Sequence, residues 1–136
     1  MSVLIATTDS QLAHRCKDAL AVCGQHWTRI ACQTGAEAAL DQTPQSLMLL
    51  DIGSGAIAPP LGFCLLVAYR WPRARIAVLL GNGLQADGTL MALCPSVVAY
   101  LPRRVTEDDL AAIVSHHAAP AARFPAPTHP AFHMRH

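Results

Sequence analysis

Five short apolar runs recur along this chain, and each is followed by a stretch with helical spacing. The runs are Val3 to Ala6, Trp27 to Cys32, Ser46 to Leu50, Ile76 to Leu80 and Val97 to Leu101. Runs of this length, bounded by polar or turn-forming residues, suit strands buried on both faces. Between the first two, Leu12, Cys16, Ala19, Leu20 and Cys23 recur at helical spacing, and Gln11, Arg15, Lys17 and Asp18 fall on the opposite side. Further helices are expected from about Thr34 to Asp41, Leu61 to Trp71, Ala86 to Leu93 and Glu107 onward. Strands that alternate with helices need a parallel sheet covered on both faces. The expected fold is therefore α/β: a doubly wound five-stranded parallel sheet with five helices, in a single domain over residues 1–118.

Local punctuation agrees with this division. Asp9 or Ser10 can cap the first helix and Gly24 can end it. Thr34 and Glu37 stand at capping-box spacing. Pro72 stops the third helix. Gly81, Asn82 and Gly83 read as a turn, since no Lys-Ser/Thr follows to make a phosphate loop. Thr106 precedes three acids, Glu107, Asp108 and Asp109, which the helix dipole favours in a first turn. Residues 119–136 are rich in Pro and Ala and lack helical periodicity, so a tail or linker stub is expected there.

Composition excludes several classes. An apolar fraction of 52% supports a packed core and argues against disorder. A formal net charge of +1 provides no general pull toward nucleic acid or an anionic membrane. No apolar run reaches the roughly 20 residues of a membrane span, and the start lacks a signal-peptide pattern, so a cytoplasmic chain is expected. The 5 cysteines are odd in number and form no C-x-x-C, which suits buried, reduced thiols. His14 and His26 read as surface residues. His116 and His117 end the last helix, where a protonated imidazole suits the dipole. His129 and His133 stand at i, i+4, but Pro130 argues against a helix carrying a metal site there.

The run Leu47 to Ile52, with Asp51 at its tip, resembles the third strand of a response-regulator receiver domain. The segment from Ala99 through Leu110 is similar to the family's fifth strand and last helix, and Gly62 to Leu66 fits its third helix. The resemblance covers about residues 2–117. It implies a flavodoxin-like, CheY-like sheet, a phospho-accepting role for Asp51, and Mg²⁺ held by acids at the end of the first strand. The cation would offset charge on the transferring oxygens.

Four of the positions that carry the reaction depart from that pattern. Thr7 and Thr8 stand where the resemblance implies the acidic pair, and neutral hydroxyls supply no charge to offset Mg²⁺. Asp9 lies one position beyond and is equally explained as a helix cap. Leu80 replaces the switch hydroxyl. Arg103 replaces a lysine, a planar fork in place of a compact ammonium. Tyr100 keeps the position of the switch aromatic. Arg104 takes the place of the following proline, although Pro102 stands just before.

These departures lead to the expectation of a pseudo-receiver: no catalytic residues, no cofactor, and weak or absent Mg²⁺ binding. Asp51 could instead pair with Arg103, whose fork suits a carboxylate. Partners are expected to be proteins (a kinase, a regulator or an output domain) or a second copy. They would dock on the face built by the fourth helix, fifth strand and fifth helix, with Leu84, Leu90, Met91 and Leu93 as apolar contacts; neither nucleic acid nor membrane is expected. Two alternatives stand beside this reading. One is an active single-domain receiver phosphorylated on Asp51. The other is a small-ligand site at Thr7, Thr8, Asp51 and Arg103.

Overall fold

Four of the five strands lie where the apolar runs are because each supplies side chains to two layers at once; the second is largely exposed. The computed structural model describes residues 2–24, 26–42, 45–53, 55–57, 59–80, 92–102 and 104–118. Within these, β1 (Ser2–Ala6), β2 (His26–Ile30), β3 (Gln45–Asp51), β4 (Arg75–Leu80) and β5 (Val97–Pro102) alternate with α1 (Ser10–Val22), α2 (Gln33–Gln42), α3 (Pro60–Arg70) and α4 (Glu107–Ala118). The sheet is parallel in the order β2-β1-β3-β4-β5, the flavodoxin-like order. The expected helix over 86–93 falls mainly outside the described residues, as do the turn at 81–83 and the segment 119–136.

Period-two alternation assigns the strand side chains to two apolar clusters. Val3, Ile5, Leu47, Leu49, Ala77 and Leu79 pack against α1 and α4. Leu4, Ala6, Met48, Leu50, Ile76 and Val78 pack against α2 and α3. Both faces of β1, β3 and β4 are therefore dry, which is why their sequences read as continuous apolar runs rather than alternating ones. The register of β4 with β5 shifts between Ile76 and Ala77, so Val98 is the extra residue and both it and Ala99 join the α1 and α4 side.

Helix ends follow local chemistry, with corrections. Asp9 caps α1 by accepting from Gln11 N–H (2.9 Å) and Leu12 N–H (3.2 Å). Gly24 ends it at φ 68°, a left-handed conformation that glycine adopts without penalty. Thr106 accepts from Asp109 N–H at 3.1 Å and caps α4. The capping box at Thr34 does not form. α2 starts at Gln33, and Cys32 takes the cap position, its Sγ accepting from Gly35 N–H at 3.4 Å. The second strand therefore ends at Ile30, because the chain already turns toward α2 at Cys32. Glu37 instead pairs with Arg70 of α3 at 3.4 Å. α3 begins one residue early because Pro60 is tolerated at a helix start, where its missing N–H has no intrahelical acceptor.

The thiols are free, but not uniformly buried: Cys16, Cys64 and Cys94 are buried, Cys23 is half-buried and Cys32 is exposed. Burial pushes Cys64 up to about 12, with Cys94 adding to the rise. His14 and His26 are exposed. His117 is buried, and Arg75 of β4 reaches the same helix end, where its Nη1 donates to the His117 carbonyl at 3.3 Å. Among the described residues no helix is long and apolar enough to cross a membrane.

The α1 cap yields a first quantitative expectation. Asp9→Ala removes the acceptor for two otherwise orphaned N–H groups and should cost about 1 kcal/mol. Urea unfolding followed by circular dichroism measures this, and an unchanged midpoint would contradict the capping role.

Candidate functional site

β1 and β3 are neighbours with Ala6 opposite Leu50, so the next residues along each strand, Thr7 and Asp51, meet at the carboxyl edge of the sheet. Functional groups of open α/β sheets collect at this edge. Asp51 closes β3 and is fully buried, at 0% exposure; Thr7 follows β1 and is buried at 1%. A buried carboxylate is costly unless its oxygens receive hydrogen bonds, and here both do. Thr7 Oγ1–H donates to Asp51 Oδ2 at 2.7 Å. Gly53 N–H donates to Asp51 Oδ1 at 3.1 Å.

Thr7 is itself held from two sides. Its backbone N–H donates to Ile30 C=O at 3.1 Å, tying it to β2. Its Oγ1 accepts from Asp9 N–H at 3.0 Å. A donor chain therefore runs from the Asp9 amide through the Thr7 hydroxyl to Asp51, and serial hydrogen bonds of this kind polarise one another. The Asp9 carboxylate faces the start of α1, accepting from Gln11 and Leu12. The charge of Asp51 also reaches the neighbouring Cys16. Burial chiefly pushes that thiol up to about 12, Arg15 lowers it and Asp51 raises it. Such a thiol is an inert core group.

The remaining expected positions divide. Thr8 is exposed, unlike Thr7. Leu80 and Tyr100 are half-buried and pack against the apolar cluster shared by α2 and α3. Tyr100 lies opposite Val78 in the β4–β5 register, and Leu80 lies opposite Pro102. Arg103 lies outside the described residues, and so does the expected Asp51–Arg103 pair. Of the expected apolar docking residues, Leu93 is exposed; Leu84, Leu90 and Met91 lie outside the described residues. The structure thus joins Thr7 to Asp51 and adds Gly53, whose backbone N–H donates to the carboxylate. The signal in the sequence was positional: in a 2-1-3-4-5 sheet, the residues that end strands 1 and 3 sit at one level. Among the described residues, no group of three His, Cys, Asp or Glu side chains could hold a metal ion.

No family model matches the sequence, and no curated protein matches it. Solved structures do match. A response regulator from Thermotoga maritima aligns at TM-score 0.75 and 18% identity, over 86% of this chain and 96% of that one. A CheY-like response regulator receiver domain protein from Methanospirillum hungatei aligns at TM-score 0.72 and 17% identity, over 86% and 92%. An orphan response regulator of H. pylori aligns at TM-score 0.74 and 15% identity, over 88% and 97%. At such identities the likeness is one of fold, and this chain has the fold of the CheY-like response-regulator receiver domains.

Proposed function

We propose that this chain is a receiver-like signalling module that works by binding a protein partner and needs no metal-assisted phosphorylation. The observation that carries this reading is the closed state of Asp51: fully buried, with each carboxylate oxygen bonded from within its own chain. The receiver fold supplies the context, and Asp51 ends the strand at which that family accepts a phosphoryl group.

The donor set does not fit Mg²⁺. That ion takes hard oxygen ligands in near-octahedral order and relies on carboxylate charge. At the position of one implied acid, Thr7 directs a proton toward Asp51, which is the polarity opposite to a ligand's. The nearest other acid, Asp9, has Oδ1 engaged at the start of α1. No step of the proposed function therefore runs through a metal. A small polar ligand finds similarly little purchase, because Thr7 and Asp51 are buried and bonded to each other.

In this reading Thr7 substitutes a permanent hydrogen bond for a switchable phosphoryl group, and the module holds one state. Binding would use the partner faces that the fold leaves on its helices. The test is incubation of the purified chain with a small acyl phosphate and Mg²⁺, read by intact mass. The expected result is no phosphoryl adduct. A stoichiometric adduct that Asp51→Asn abolishes would establish an active receiver instead.

A further inference from the structure

The sheet has two edges, and they differ. β5 is buried along most of its length, whereas His26, Trp27, Thr28 and Arg29 of β2 are all exposed. The bond from Thr7 N–H to Ile30 C=O directs the backbone groups of Ile30 toward β1. Backbone groups alternate sides along a strand. Thr28 and His26 therefore also face β1, and the N–H and C=O groups of Trp27 and Arg29 face outward. Their side chains share one face, since they stand opposite Val3 and Ile5, which pack toward α1. Lys17 of α1 lies 5.5 Å from the centre of the Trp27 ring on that same face.

An edge like this recruits another strand unless a proline, a bulge or charge blunts it. β2 contains no proline, and its pairing with β1 is unbroken. Its charge is Arg29, and Arg29 selects a register rather than preventing one. A two-fold axis normal to the sheet keeps each side chain on its own face, so it can centre on Trp27, Thr28 or Arg29. Centring on Arg29 sets two guanidinium groups directly opposite, which is repulsive. Centring on Trp27 moves Arg29 beyond the partner's strand. Centring on Thr28 sets Trp27 opposite Arg29 of the partner subunit, twice by symmetry. Every outward N–H and C=O of Trp27 and Arg29 then has a partner, and each guanidinium lies beside an indole it can stack on.

We propose that β2 pairs antiparallel with β2 of a second copy of this chain, centred on Thr28, joining the two sheets into one. This interface lies at the opposite edge of the sheet from β5. It does not depend on the phosphorylation state or metal content of the Asp51 site, so the acyl phosphate test and this one fail separately.

Sedimentation equilibrium of the full 136-residue chain tests it. A short edge-strand interface should give a dimer with Kd of about 10–100 µM. Trp27→Lys opposes two cations in each pair and should weaken dimerisation roughly 10- to 30-fold. Trp27→Lys combined with Arg29→Glu sets opposite charges face to face in each pair, and should recover wild-type affinity to within about threefold. Arg29→Pro removes an outward N–H that β1 does not use, and should abolish the dimer while leaving the melting curve of the monomer in place. A chain that stays monomeric at about 500 µM, well above the expected Kd, would overturn the proposal. So would a dimer indifferent to Trp27→Lys, or a double variant as weak as the single one.

Discussion

Replacing Thr7 with valine is expected to lower the unfolding free energy by about 2–4 kcal/mol, although the two side chains have nearly the same shape. The loss comes from two hydrogen bonds that share one oxygen. Oγ1–H stabilises a carboxylate at 0% exposure from 2.7 Å, and the same oxygen accepts the Asp9 amide. Bonds to charged groups contribute about 1.5–3 kcal/mol, and the buried acceptor cannot recover the loss from water. The expectation is sharpened by a cycle with Asp51→Asn. In that background Thr7 faces a neutral amide, so the cost of Thr7→Val should fall by about 1–2 kcal/mol. Chemical denaturation of the four proteins measures the coupling. A Thr7→Val protein within about 0.5 kcal/mol of wild type, as for an ordinary surface change, would mean that the Thr7–Asp51 bond does not hold this edge of the sheet together.

Restoring the acidic pair should have an effect as large and of a different kind. In Thr7→Asp/Thr8→Asp, a carboxylate replaces the hydroxyl that now lies 2.7 Å from Asp51. Two buried like charges at contact are strongly unfavourable, and the expected loss without divalent cations exceeds about 3 kcal/mol. The same substitution creates the carboxylate set that Mg²⁺ prefers. Added Mg²⁺ should therefore raise the melting temperature of the variant, with about 2.7 kcal/mol regained at 100 times the dissociation constant. The wild-type chain should show no comparable Mg²⁺ dependence. Equal stabilisation of both proteins by Mg²⁺ would show that the native donor set binds the ion and would remove the basis for a phosphorylation-independent module.

Much of this site is legible in the sequence. Asp51 at the end of an apolar run, two threonines ending the first run, and Asp9 one step beyond are all visible as local chemistry. What a linear reading treated as a deficiency, a hydroxyl where an acid was expected, proves to be an interaction across 44 positions of sequence. Likewise, the backbone turn after β3 presents the Gly53 N–H to Asp51, a contact that no side-chain pattern reports. The capping box at Thr34 failed for a related reason: Cys32 reaches the amide of Gly35 first, and Glu37 is drawn away to Arg70 on α3.

The apolar runs alone determined five strands, their alternation with helices and hence a parallel sheet covered on both faces, because buried backbone must pair and buried faces must be covered. Those constraints act through near neighbours in sequence, so periodicity reports them. Only the tertiary structure decided that Thr7 bonds Asp51, that Arg75 reaches the end of α4, and that β2 remains an exposed edge while β5 does not. Each of these depends on strand order and register, which bring together residues tens of positions apart. No local pattern encodes the distance between two side chains that meet only after the sheet has assembled.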